Sequence, residues 1–549
     1  FLLVKTGIKF NNLYDTMVAE SLITKGIGKN FSSLGELTEK YCGVTLDKSV
    51  REGFFKNGKL SELTEEQLIY SALDVQYLEI IKNKQIDLLK SQKKVLDIEM
   101  LLLPAVIYME YKGVDVDQDK WKILSEYHSE KAERLYSELI EEIISAVLST
   151  MKLTMTDVNN CFELAKKLNI PVKTKKETAR LQELSSDEEY STFIRDNFNL
   201  NSPLQLKTVL GLLGIEELES TNAKDMKQLR DKYPFLNKII SYRENKKRIT
   251  AFGMDFLKNI NPIDGRIHAT FDQIATNSGR FSSSNPNLQQ IPSPSSDEKE
   301  LGIDYRKCFI PPVGYKMITS DYSQQELRLA GAISQEPNFI NAYKNDEDLH
   351  TLTATIIFSK SAEEISPEER KIAKSFNFAI LYGSTEYGLA YNFNKDPKEM
   401  REMIDKYYAG YPKLALCKET IENLSVKNKF SVTLTGRRRY FEDKKIFTDA
   451  KEYDQYISGI KRVSFNHMIQ GSGADIVKLS LARIYHENPF GEDMYICLTV
   501  HDEIVCVAKD EIVEQAKEFI SKIMLDVEQD FLGEIPAAIG IEIGDYWHH

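Results

Sequence analysis

Cysteine is scarce in this chain of 549 residues, which has six cysteines and no CxxC pair. Because the six are scattered, a disulfide framework and a zinc site are both disfavoured, and we expect structural thiols in a reducing compartment. Long apolar runs are also missing. The longest, residues 100–109, contains Pro104, so we expect no membrane-spanning segment.

Positive charge is in deficit, since 83 acidic residues outnumber 71 basic ones and give a net charge of −12. Taken alone, this balance argues mildly against a nucleic-acid partner, although a basic groove can coexist with an acidic exterior. The sequence begins at Phe1 and has no visible leader. We therefore expect the natural N-terminus, with any targeting segment, to lie outside this sequence.

The composition, 42% hydrophobic and 28% charged, is that of a globular protein, and the length exceeds one ordinary core. Apolar periodicity divides the chain into regions of different character. They are a mixed region at 1–96, a mainly helical one at 97–261 with a polar, irregular insertion at about 150–195, a strand-rich one at 262–330, a helical one at 331–455, and a last one at 456–549 with a long helix (about 461–487) and a hairpin.

An acidic pair interrupts the predicted hairpin. The run ICLTVHDEIVCV, residues 496–507, is apolar and β-branched except at His501, Asp502 and Glu503. Two adjacent acids in a half-buried setting cost free energy unless a positive charge lies beside them. The sequence therefore predicts a cation or a basic group at this hairpin.

A second acidic site lies in YKMITSDYSQQELRLAGAIS, residues 315–334. KMIT predicts a strand and QQELRLAGAI predicts a helix, so Asp321 would lie between them, where a carboxylate can face solvent or a metal. Glu326 has a simpler interpretation, because Ser323 three residues earlier completes a capping box. Both interpretations of Glu326, helix cap and site residue, stay open at this point.

Two predicted helices carry functional side chains at every fourth position, which places them on one face. The first stripe suits a ligand with a polyphosphate at one end and a flat ring at the other, and the second suits phosphates and base edges. The alternatives are core aromatics with a solvated edge, and a polar surface. The first stripe is Arg370, Lys374, Phe378 and Tyr382, and the second is Arg462, Asn466 and Gln470.

These segments, in this order, resemble the polymerase module of family A DNA polymerases. DYSQQELR is similar to motif A, RKIAKSFNFAILYG to motif B and VHDE to motif C, and SGRFSS, PNLQQIP, DLHTLTA, TLTGRRR and NHMIQGSGADI match further signatures. The resemblance implies an α+β multidomain fold. Its parts would be a right hand with an antiparallel-sheet palm (262–330 and 456–549), helical fingers (331–455) and a helical thumb (97–261), and part of an RNase H-like α/β 3′–5′ exonuclease domain (1–96).

The resemblance also implies a two-metal active site. Asp321, Asp502 and the backbone of Tyr322 would hold two Mg²⁺ ions, for which Mn²⁺ can substitute, and these ions would supply the positive charge that the hairpin requires. No cysteine or histidine belongs to this set of hard oxygen ligands. Glu503 would be an auxiliary acid, and Lys374 would donate a proton to pyrophosphate.

The same matching implies contacts to dNTP and to primer–template DNA, with Glu326 as the steric gate against a ribose 2′-hydroxyl. The thumb lysines have an alternative interpretation as ordinary solvated residues; as phosphate contacts they would make binding fall steeply with salt. The dNTP residues are Arg370, Lys374, His350, Phe378, Tyr382, Gln324 and Glu326. The DNA residues are Arg280, Arg462, Asn466, Gln470 and His501, with Lys224, Lys246, Lys247 and Arg248 in the thumb.

Several positions depart from the family pattern. Ala379 stands where glycine is usual, Gln325 where an aliphatic residue is usual, Gln290 where asparagine is usual, and Met468 replaces a frequent proline. Ala379 and Gln325 flank the nucleotide site, so they could alter fidelity or inhibitor sensitivity. Phe378, in place of tyrosine, resembles family members that discriminate against dideoxynucleotides.

The N-terminal region resembles the proofreading exonuclease of the same family. NNLYDTMVAESL is similar to its second motif, with Asp15 as a metal ligand, and YSALDVQYL to its third, with Tyr70 and Asp74 on one helix face. The first motif, an Asp-x-Glu pair, would lie before Phe1. We therefore expect proofreading in the full-length protein and an incomplete exonuclease site in the sequence as given.

Two other functions stay open. A single-subunit RNA polymerase shares the palm, but Glu326 and the exonuclease-like region argue against it. A catalytically inactive DNA-binding subunit is opposed by the intact Asp321, Asp502, Arg370 and Lys374.

The source and the partners are expectations of a weaker kind. Lysine- and asparagine-rich segments such as KNGK and ENKKR indicate an AT-rich genome. The sequence is similar to replicative polymerases of the apicoplast, the plastid of malaria parasites, with the bacterial cytoplasm as the alternative location. In some phage relatives a thumb insertion binds a processivity partner, and the segment at 150–195 would bind a replisome partner in the same way.

Overall fold

The computed structural model describes residues 12–28, 32–46, 55–56, 59–60, 64–153 and 158–548. The chain divides into two compact units. The first comprises Phe1–Val116, Ile260–Ser293 and Phe309–His549, and the second comprises Asp117–Asn259 and Pro294–Cys308. The predicted boundaries at residues 97 and 262 differ from these, because residues 97–116 belong to the first unit and residues 294–308 to the second.

Helices dominate the described residues. The first twelve are α1 (Thr16–Thr24), α2 (Leu34–Cys42), α3 (Glu65–Gln76), α4 (Leu78–Leu88), α5 (Lys93–Lys112), α6 (Gln118–Leu153), α7 (Cys161–Lys167), α8 (Lys175–Glu183), α9 (Asp187–Asn197), α10 (Pro203–Leu212), α11 (Ala223–Leu229) and α12 (Phe235–Phe252). They are followed by α13 (Ser296–Leu301), α14 (Gln325–Ser334), α15 (Pro337–Lys344), α16 (Leu349–Phe358), α17 (Pro367–Leu381), α18 (Glu386–Phe393), α19 (Pro397–Gly410), α20 (Pro412–Asn428), α21 (Ala450–Glu487) and α22 (Val513–Leu532).

The strands are short except in one sheet. They are β1 (Phe55–Lys56), β2 (Lys59–Leu60), β3 (Val114–Val116), β4 (Arg266–Ile267), β5 (Thr270–Asp272), β6 (Ser282–Ser284), β7 (Phe309–Ile310), β8 (Tyr315–Tyr322), β9 (Phe430–Val432), β10 (Arg438–Tyr440), β11 (Met494–Val500), β12 (Glu503–Lys509) and β13 (Ile539–Gly544). Small sheets pair β1 with β2, β5 with β6, β9 with β10, and β3 with both β4 and β7.

The four-stranded sheet has the order β11–β12–β8–β13, and every neighbouring pair is antiparallel. Every residue of β11 is buried, because α5 and α21 pack against this strand. In register, Glu503 of β12 and Gly540 of β13 lie on either side of Asp321 of β8. The predicted hairpin and the predicted strand before Asp321 are confirmed.

Helix α21 is the longest element of the structure, at 38 residues. The sequence predicted it from about residue 461, and it begins at Ala450, where the side chain of Asp449 accepts a hydrogen bond from the backbone N–H of Glu452. Its second half is buried almost continuously from Ile469 to Leu481, as expected for a helix enclosed by other elements.

A cluster of buried charges joins α5, α21 and the segment after β9. Arg437 donates from Nε and Nη2 to Asp475 Oδ1, at 2.8 and 2.5 Å, and from Nη2 to Glu99 Oε1 at 2.5 Å. Lys478 Nζ donates to the same Glu99 oxygen at 2.5 Å. All four side chains are at most 1% exposed, so each charge depends on its partners to remain ionised in the core.

The second unit is built around α6 and α12, which pack side by side. At one end, Trp121 stacks on Phe256 with ring centroids 4.3 Å apart and donates from Nε1 to the carbonyl of Phe252 at 2.9 Å. The predicted irregular insertion at about 150–195 is wrong in the described part of that segment, which holds α7, α8 and most of α9. These helices, together with Leu168 directly after α7, supply buried residues to the core: Cys161, Leu164, Ala165, Leu181, Tyr190, Phe193 and Ile194.

All six cysteines are free, and four of them are buried, which agrees with the prediction of structural thiols. Within the described ranges, no helix combines the length and the apolar character needed to cross a membrane.

Candidate active site

The predicted acids meet at one end of the four-stranded sheet. Asp321 is the last residue but one of β8, and Asp502 lies in the two-residue turn between β11 and β12. The backbone N–H of Tyr322 donates to the carbonyl of Asp502 at 3.4 Å, which ties the two motifs together. His501 completes the turn with a φ of 58°, the left-handed conformation that tight hairpin turns use.

The two adjacent acids of the hairpin are accommodated differently. Glu503 is 3% exposed, and its Oε1 accepts a hydrogen bond from the indole Nε1 of Trp547. Burial raises the pKa of Asp502, and the charge of Glu503 adds to this effect, whereas Arg280 and His501 oppose it. An added cation beside Asp502 would therefore favour its ionised form.

The donor set at this end of the sheet suits a hard divalent ion. Asp321 and Asp502 carry carboxylates on backbone segments that the hydrogen bond from the Tyr322 N–H to the Asp502 carbonyl joins, and carboxylate oxygens are ligands that hard divalent ions prefer. Among the described residues, no group of three or more His, Cys, Asp and Glu side chains is arranged to hold a metal ion.

Glu326 is not part of a capping box, so that interpretation was wrong. Gln324 is the N-cap of α14, with a φ of 55° and no side-chain cap hydrogen bond, and its Oε1 accepts from the hydroxyl of Tyr343 at 3.1 Å. Glu326 instead accepts from Arg280 Nη2 at 2.6 Å. Burial raises the pKa of Glu326 and the charge of Asp502 adds to this effect, whereas Arg280 and the hydrogen bond with Tyr382 oppose it.

Helix α17 presents the first predicted stripe. Ser366 begins the helix with a capping box to Glu369, and Arg370, Lys374 and Phe378 follow on one face. Tyr382 is the C-cap, and its ring centroid lies 6.4 Å from that of Phe378. Tyr382 is 42% exposed and Phe378 is half-buried, so the interpretation of both aromatics as core residues is wrong.

Arg370 has a partner that the sequence did not indicate. Its Nε and Nη2 donate to the two carboxylate oxygens of Asp348, at 2.6 and 3.1 Å. Although burial opposes the change, the hydrogen bonds from Arg370 and Thr351 lower the pKa of Asp348 to about 2. An anionic ligand of Arg370 would have to share the guanidinium with Asp348 or displace it.

His350 is the second residue of α16, close to the helix start that the sequence predicted. Its ring lies 6.2 Å from that of Phe378. Burial lowers the pKa of His350 to about 4, and the positive charges of Lys374 and Arg370 act in the same direction. The ring is therefore neutral near pH 7 and lies beside the stripe of α17.

The second stripe, Arg462, Asn466 and Gln470, lies on α21 as predicted. Arg462 is exposed and the other two are half-buried. The end of α17 contacts this stripe at Gly383, which has a φ of +74°. A Cβ there would lie 2.8 Å from both Cγ and the carbonyl of Arg462, so only glycine fits.

The predicted thumb cations belong to the second unit. Lys224 lies on α11, and Lys246, Lys247 and Arg248 lie on α12. Lys246 and Lys247 are exposed, whereas Arg248 donates to the buried carboxylate of Glu298 at 2.9 Å. Arg248 thus has a structural contact that the sequence did not indicate.

The predicted exonuclease residues are described in part. Asp15 is the N-cap of α1, where its carboxylate accepts from the backbone N–H groups of Met17 and Val18 at 2.8 and 3.1 Å. Tyr70 and Asp74 are both half-buried on α3, four residues apart, as predicted. Their roles stay predictions.

Gln325 is the most unusual of the four departures from the family pattern. It is 4% exposed, and its Nε2 has no hydrogen-bond partner among the described residues. A Cβ on Gly473 would lie only 2.5 Å from Gln325 Oε1, which is too close for two atoms that are not bonded. The glycine therefore makes the space that this glutamine occupies.

Family models match almost the whole chain. The model for DNA polymerase family A matches residues 166–549, well over half of the sequence, and the model for a 3′–5′ exonuclease matches residues 1–89. The first match begins inside the segment at 150–195. Residues 166–195 therefore lie within the part of the chain that the family model covers.

Sequence relatives agree with these matches. DNA polymerase I of Caldicellulosiruptor bescii is 35% identical over 366 residues, which are 64% of this chain and 41% of that protein. The thermostable DNA polymerase I of Thermus aquaticus is 32% identical over 425 residues, 75% of this chain and 48% of that protein. The chain thus spans less than half the length of these relatives.

A solved structure has the same fold. The POL domain of Pol1 from M. smegmatis, in complex with DNA primer-template and dNTP, aligns with a TM-score of 0.72 at 23% identity. The alignment covers 99% of this chain and 84% of that one. At this identity the likeness concerns the fold, and it confirms the predicted α+β architecture.

Proposed function

Because the chain belongs to DNA polymerase family A, we propose that it is a template-directed DNA polymerase that adds dNTPs to the 3′-hydroxyl of a primer. The observation that carries this proposal is the meeting of Asp321 and Asp502 beside the α17 stripe. Glu326 links the two parts, since its carboxyl forms a hydrogen bond with Tyr382 at the end of α17 and its pKa responds to Asp502. A polymerase requires this combination of palm acids and a cationic, aromatic helix face.

Metal dependence is general in the family, and we propose two Mg²⁺ ions here, with Mn²⁺ as a substitute. Asp321, Asp502 and the Tyr322 carbonyl would hold them, and the raised pKa of Asp502 supports a cation at this position. Bound ions would lower the pKa of the primer hydroxyl and stabilise the charge on the phosphates. Glu503 acts as an auxiliary acid, fixed by Trp547.

The α17 face supplies the nucleotide contacts. Lys374 is exposed and donates a proton to the departing pyrophosphate, while Arg370 and His350 bind the phosphates. Phe378 and Tyr382 pack against the sugar and the base. Glu326 limits space at the ribose 2′ position, and its pair with Arg280 holds the carboxylate in place.

DNA contacts come from both units. Arg280, Arg462, Asn466, Gln470 and His501 belong to the first, and Lys224, Lys246 and Lys247 to the second. The solved M. smegmatis relative holds DNA primer-template and dNTP, which supports both ligands here. Arg248 contributes by supporting α12 through Glu298.

Primer extension on a short primer–template with Mg²⁺ tests the proposal. Asp502→Ala is expected to abolish extension, because it removes a metal ligand, while the control Asp510→Ala at the exposed far end of the same hairpin keeps it. Equal extension by wild type and Asp502→Ala would refute the assignment. Duplex binding without extension by the wild type would favour the inactive DNA-binding subunit.

The choice between dNTPs and rNTPs tests the gate. Wild type is expected to extend with dNTPs only, and Glu326→Ala to gain extension with rNTPs, because the substitution opens space beside the ribose. Equal use of rNTPs by the wild type would favour a single-subunit RNA polymerase and overturn the role of Glu326.

We further propose proofreading by the full-length protein, with Asp15, Tyr70 and Asp74 in the exonuclease site, and a plastid setting. The match of residues 1–89 to a 3′–5′ exonuclease supports the first, and lysine- and asparagine-rich composition supports the second. Loss of 3′-end trimming in a full-length Asp74→Ala variant tests proofreading, and immunolocalisation tests the plastid setting. The replisome partner at 150–195 stays a prediction; cross-linking from exposed Lys175 or Lys176 in this segment would detect it.

A further inference from the structure

A buried chain of hydrogen bonds lies behind His350. The hydroxyl of Tyr411 is 2.8 Å from Thr353 Oγ1, which lies 3.0 Å from Asn377 Nδ2. The same Nδ2 lies 3.1 Å from His350 Nδ1. Tyr411, Thr353 and Asn377 are fully buried and His350 is 3% exposed, so water does not compete for these groups.

The direction of the hydrogen bond to His350 follows from the groups that can only donate or only accept. The carbonyl of Leu349 can only accept, and Thr353 Oγ1 donates to it at 2.9 Å. Oγ1 also lies 2.8 Å from the Tyr411 hydroxyl, 3.1 Å from Asn377 Oδ1 and 3.0 Å from Asn377 Nδ2, and the NH₂ group of Nδ2 can only donate. Burial raises the pKa of Tyr411, which keeps this hydroxyl protonated.

The second N–H of Asn377 Nδ2 then points to His350 Nδ1, which must accept. The groups that act on the His350 ring are Asp348, which favours its charged form, and Lys374 and Arg370, which oppose it. Burial dominates, and the ring is neutral, with one N–H. Since Nδ1 accepts, that proton lies on Nε2.

We propose that Asn377 is a positioning residue that holds His350 in its Nε2–H tautomer, so that the ring offers a hydrogen-bond donor to the triphosphate of the incoming nucleotide. The inference rests on the proposed function for its ligand, and on the hydrogen bonds alone for the tautomer. No hydrogen bond of Nε2 is recorded within the described part of the chain, and the ring lies beside the stripe of Arg370, Lys374 and Phe378. The opposite tautomer would present a lone pair to phosphate oxygens and repel them.

Nitrogen-15 NMR of the free protein, labelled at histidine, reads the tautomer directly. The His350 signals are identified by their loss in His350→Gln. The expected spectrum has a protonated Nε2 and an unprotonated Nδ1. In Asn377→Asp, whose side chain has the same shape, the carboxylate can only accept, and the proton is expected to move to Nδ1. A wild-type spectrum with the proton on Nδ1, or one that Asn377→Asp leaves unchanged, would overturn the proposal.

Primer extension then separates positioning from a structural role. Asn377→Asp is expected to raise the KM for dNTP about tenfold, the effect of losing one hydrogen bond to a charged group. In the His350→Gln background, where the glutamine amide supplies its own donor, Asn377→Asp is expected to change KM less than twofold. An equal increase in both backgrounds would show that Asn377 acts on the fold and not through His350.

The NMR spectrum and the primer-extension assay can fail independently, so they distinguish the positioning of His350 from the proposed polymerase activity. A wild-type protein with the Nε2–H tautomer that extends no primer would refute the polymerase and not the positioning of His350. Active wild type with the Nδ1–H tautomer would refute the positioning and leave the polymerase standing.

Discussion

The buried carboxyl of Glu528 on α22 is expected to make the free energy of unfolding depend on pH. Its side chain is fully buried, Oε2 accepts from the backbone N–H of Ala538 at 3.2 Å, and Oε1 has no hydrogen-bond partner among the described residues. Burial raises the pKa of Glu528 from 4.5 to about 7, against the hydrogen bond from Ala538 and the charge of Arg328. The folded protein therefore holds the Glu528 proton more tightly than the unfolded chain does.

The sign and size of the effect follow from linkage. The stability that the protonated carboxyl contributes is fully present below pH 4.5 and is lost as the pH rises to about 7. A difference of this size in pKa corresponds to about 3 kcal/mol. Glu528→Gln keeps the acceptor for Ala538 and cannot ionise, so it is expected to be up to about 3 kcal/mol more stable than wild type at pH 8 and only about 1 kcal/mol more stable at pH 5.

Urea unfolding in metal-free buffer, at pH values from 5 to 8, measures the free energy of unfolding of both proteins. Glu518→Gln serves as the control, because Glu518 is exposed on the same helix and its variant is expected to differ little from wild type at any pH. If the difference between Glu528→Gln and wild type does not change with pH, the reasoning about the buried carboxyl is refuted.

Further predictions concern stability and binding. Arg437→Met leaves Asp475 buried without its guanidinium and is expected to lower the free energy of unfolding by about 3–5 kcal/mol in urea titrations. Gln325→Met removes a buried amide nitrogen without a partner and is expected to raise it by about 1–3 kcal/mol; a lower melting temperature would contradict this. Phe193→Ala is expected to cost about 3–5 kcal/mol, whereas a residue in an irregular surface insertion would cost little. The logarithm of the primer–template binding constant, measured by fluorescence anisotropy, is expected to fall linearly with the logarithm of salt concentration, and a flat response would exclude phosphate contacts.

Strong local patterns accounted for the elements that hold the candidate site. The hairpin of β11 and β12, the strand before Asp321, and helices α17 and α21 all follow from apolar runs or from residues repeated at every fourth position. The positions of Asp321, Asp502, Arg370 and Lys374 on these elements could therefore be predicted from the sequence.

Two errors arose where tertiary packing overrode a local pattern. Ser323 and Glu326 have the spacing of a capping box, but Gln324 adopts a left-handed conformation and Glu326 pairs with Arg280, 46 residues away. The segment at 150–195 is polar overall, yet α7, α8 and α9 bury their few apolar residues in a shared core. The composition of such a segment averages the polarity over all faces of its helices and does not show which face packs against the core.

Residue spacing along one helix does not predict contacts between side chains of different elements. Asp348 pairs with Arg370 across 22 residues, and Asn377 meets His350 across 27. Asp348 could have been recognised as a helix cap, because it immediately precedes α16. Nothing in the sequence indicates which arginine it would bind, since that depends on how α16 and α17 pack.

The unbroken course of α21 restricts how this protein can change during evolution. Its 38 residues span about 57 Å, and Arg462, Asn466 and Gln470 share one backbone ladder with Asp475 and Lys478. Inserting or deleting one residue between Gln470 and Asp475 would rotate one half of the helix by about 100° relative to the other. Either the stripe of Arg462, Asn466 and Gln470 or the buried ion cluster would then face the wrong side of the helix. Relatives that keep both features are therefore expected to vary in residue identity along this stretch but not in its length.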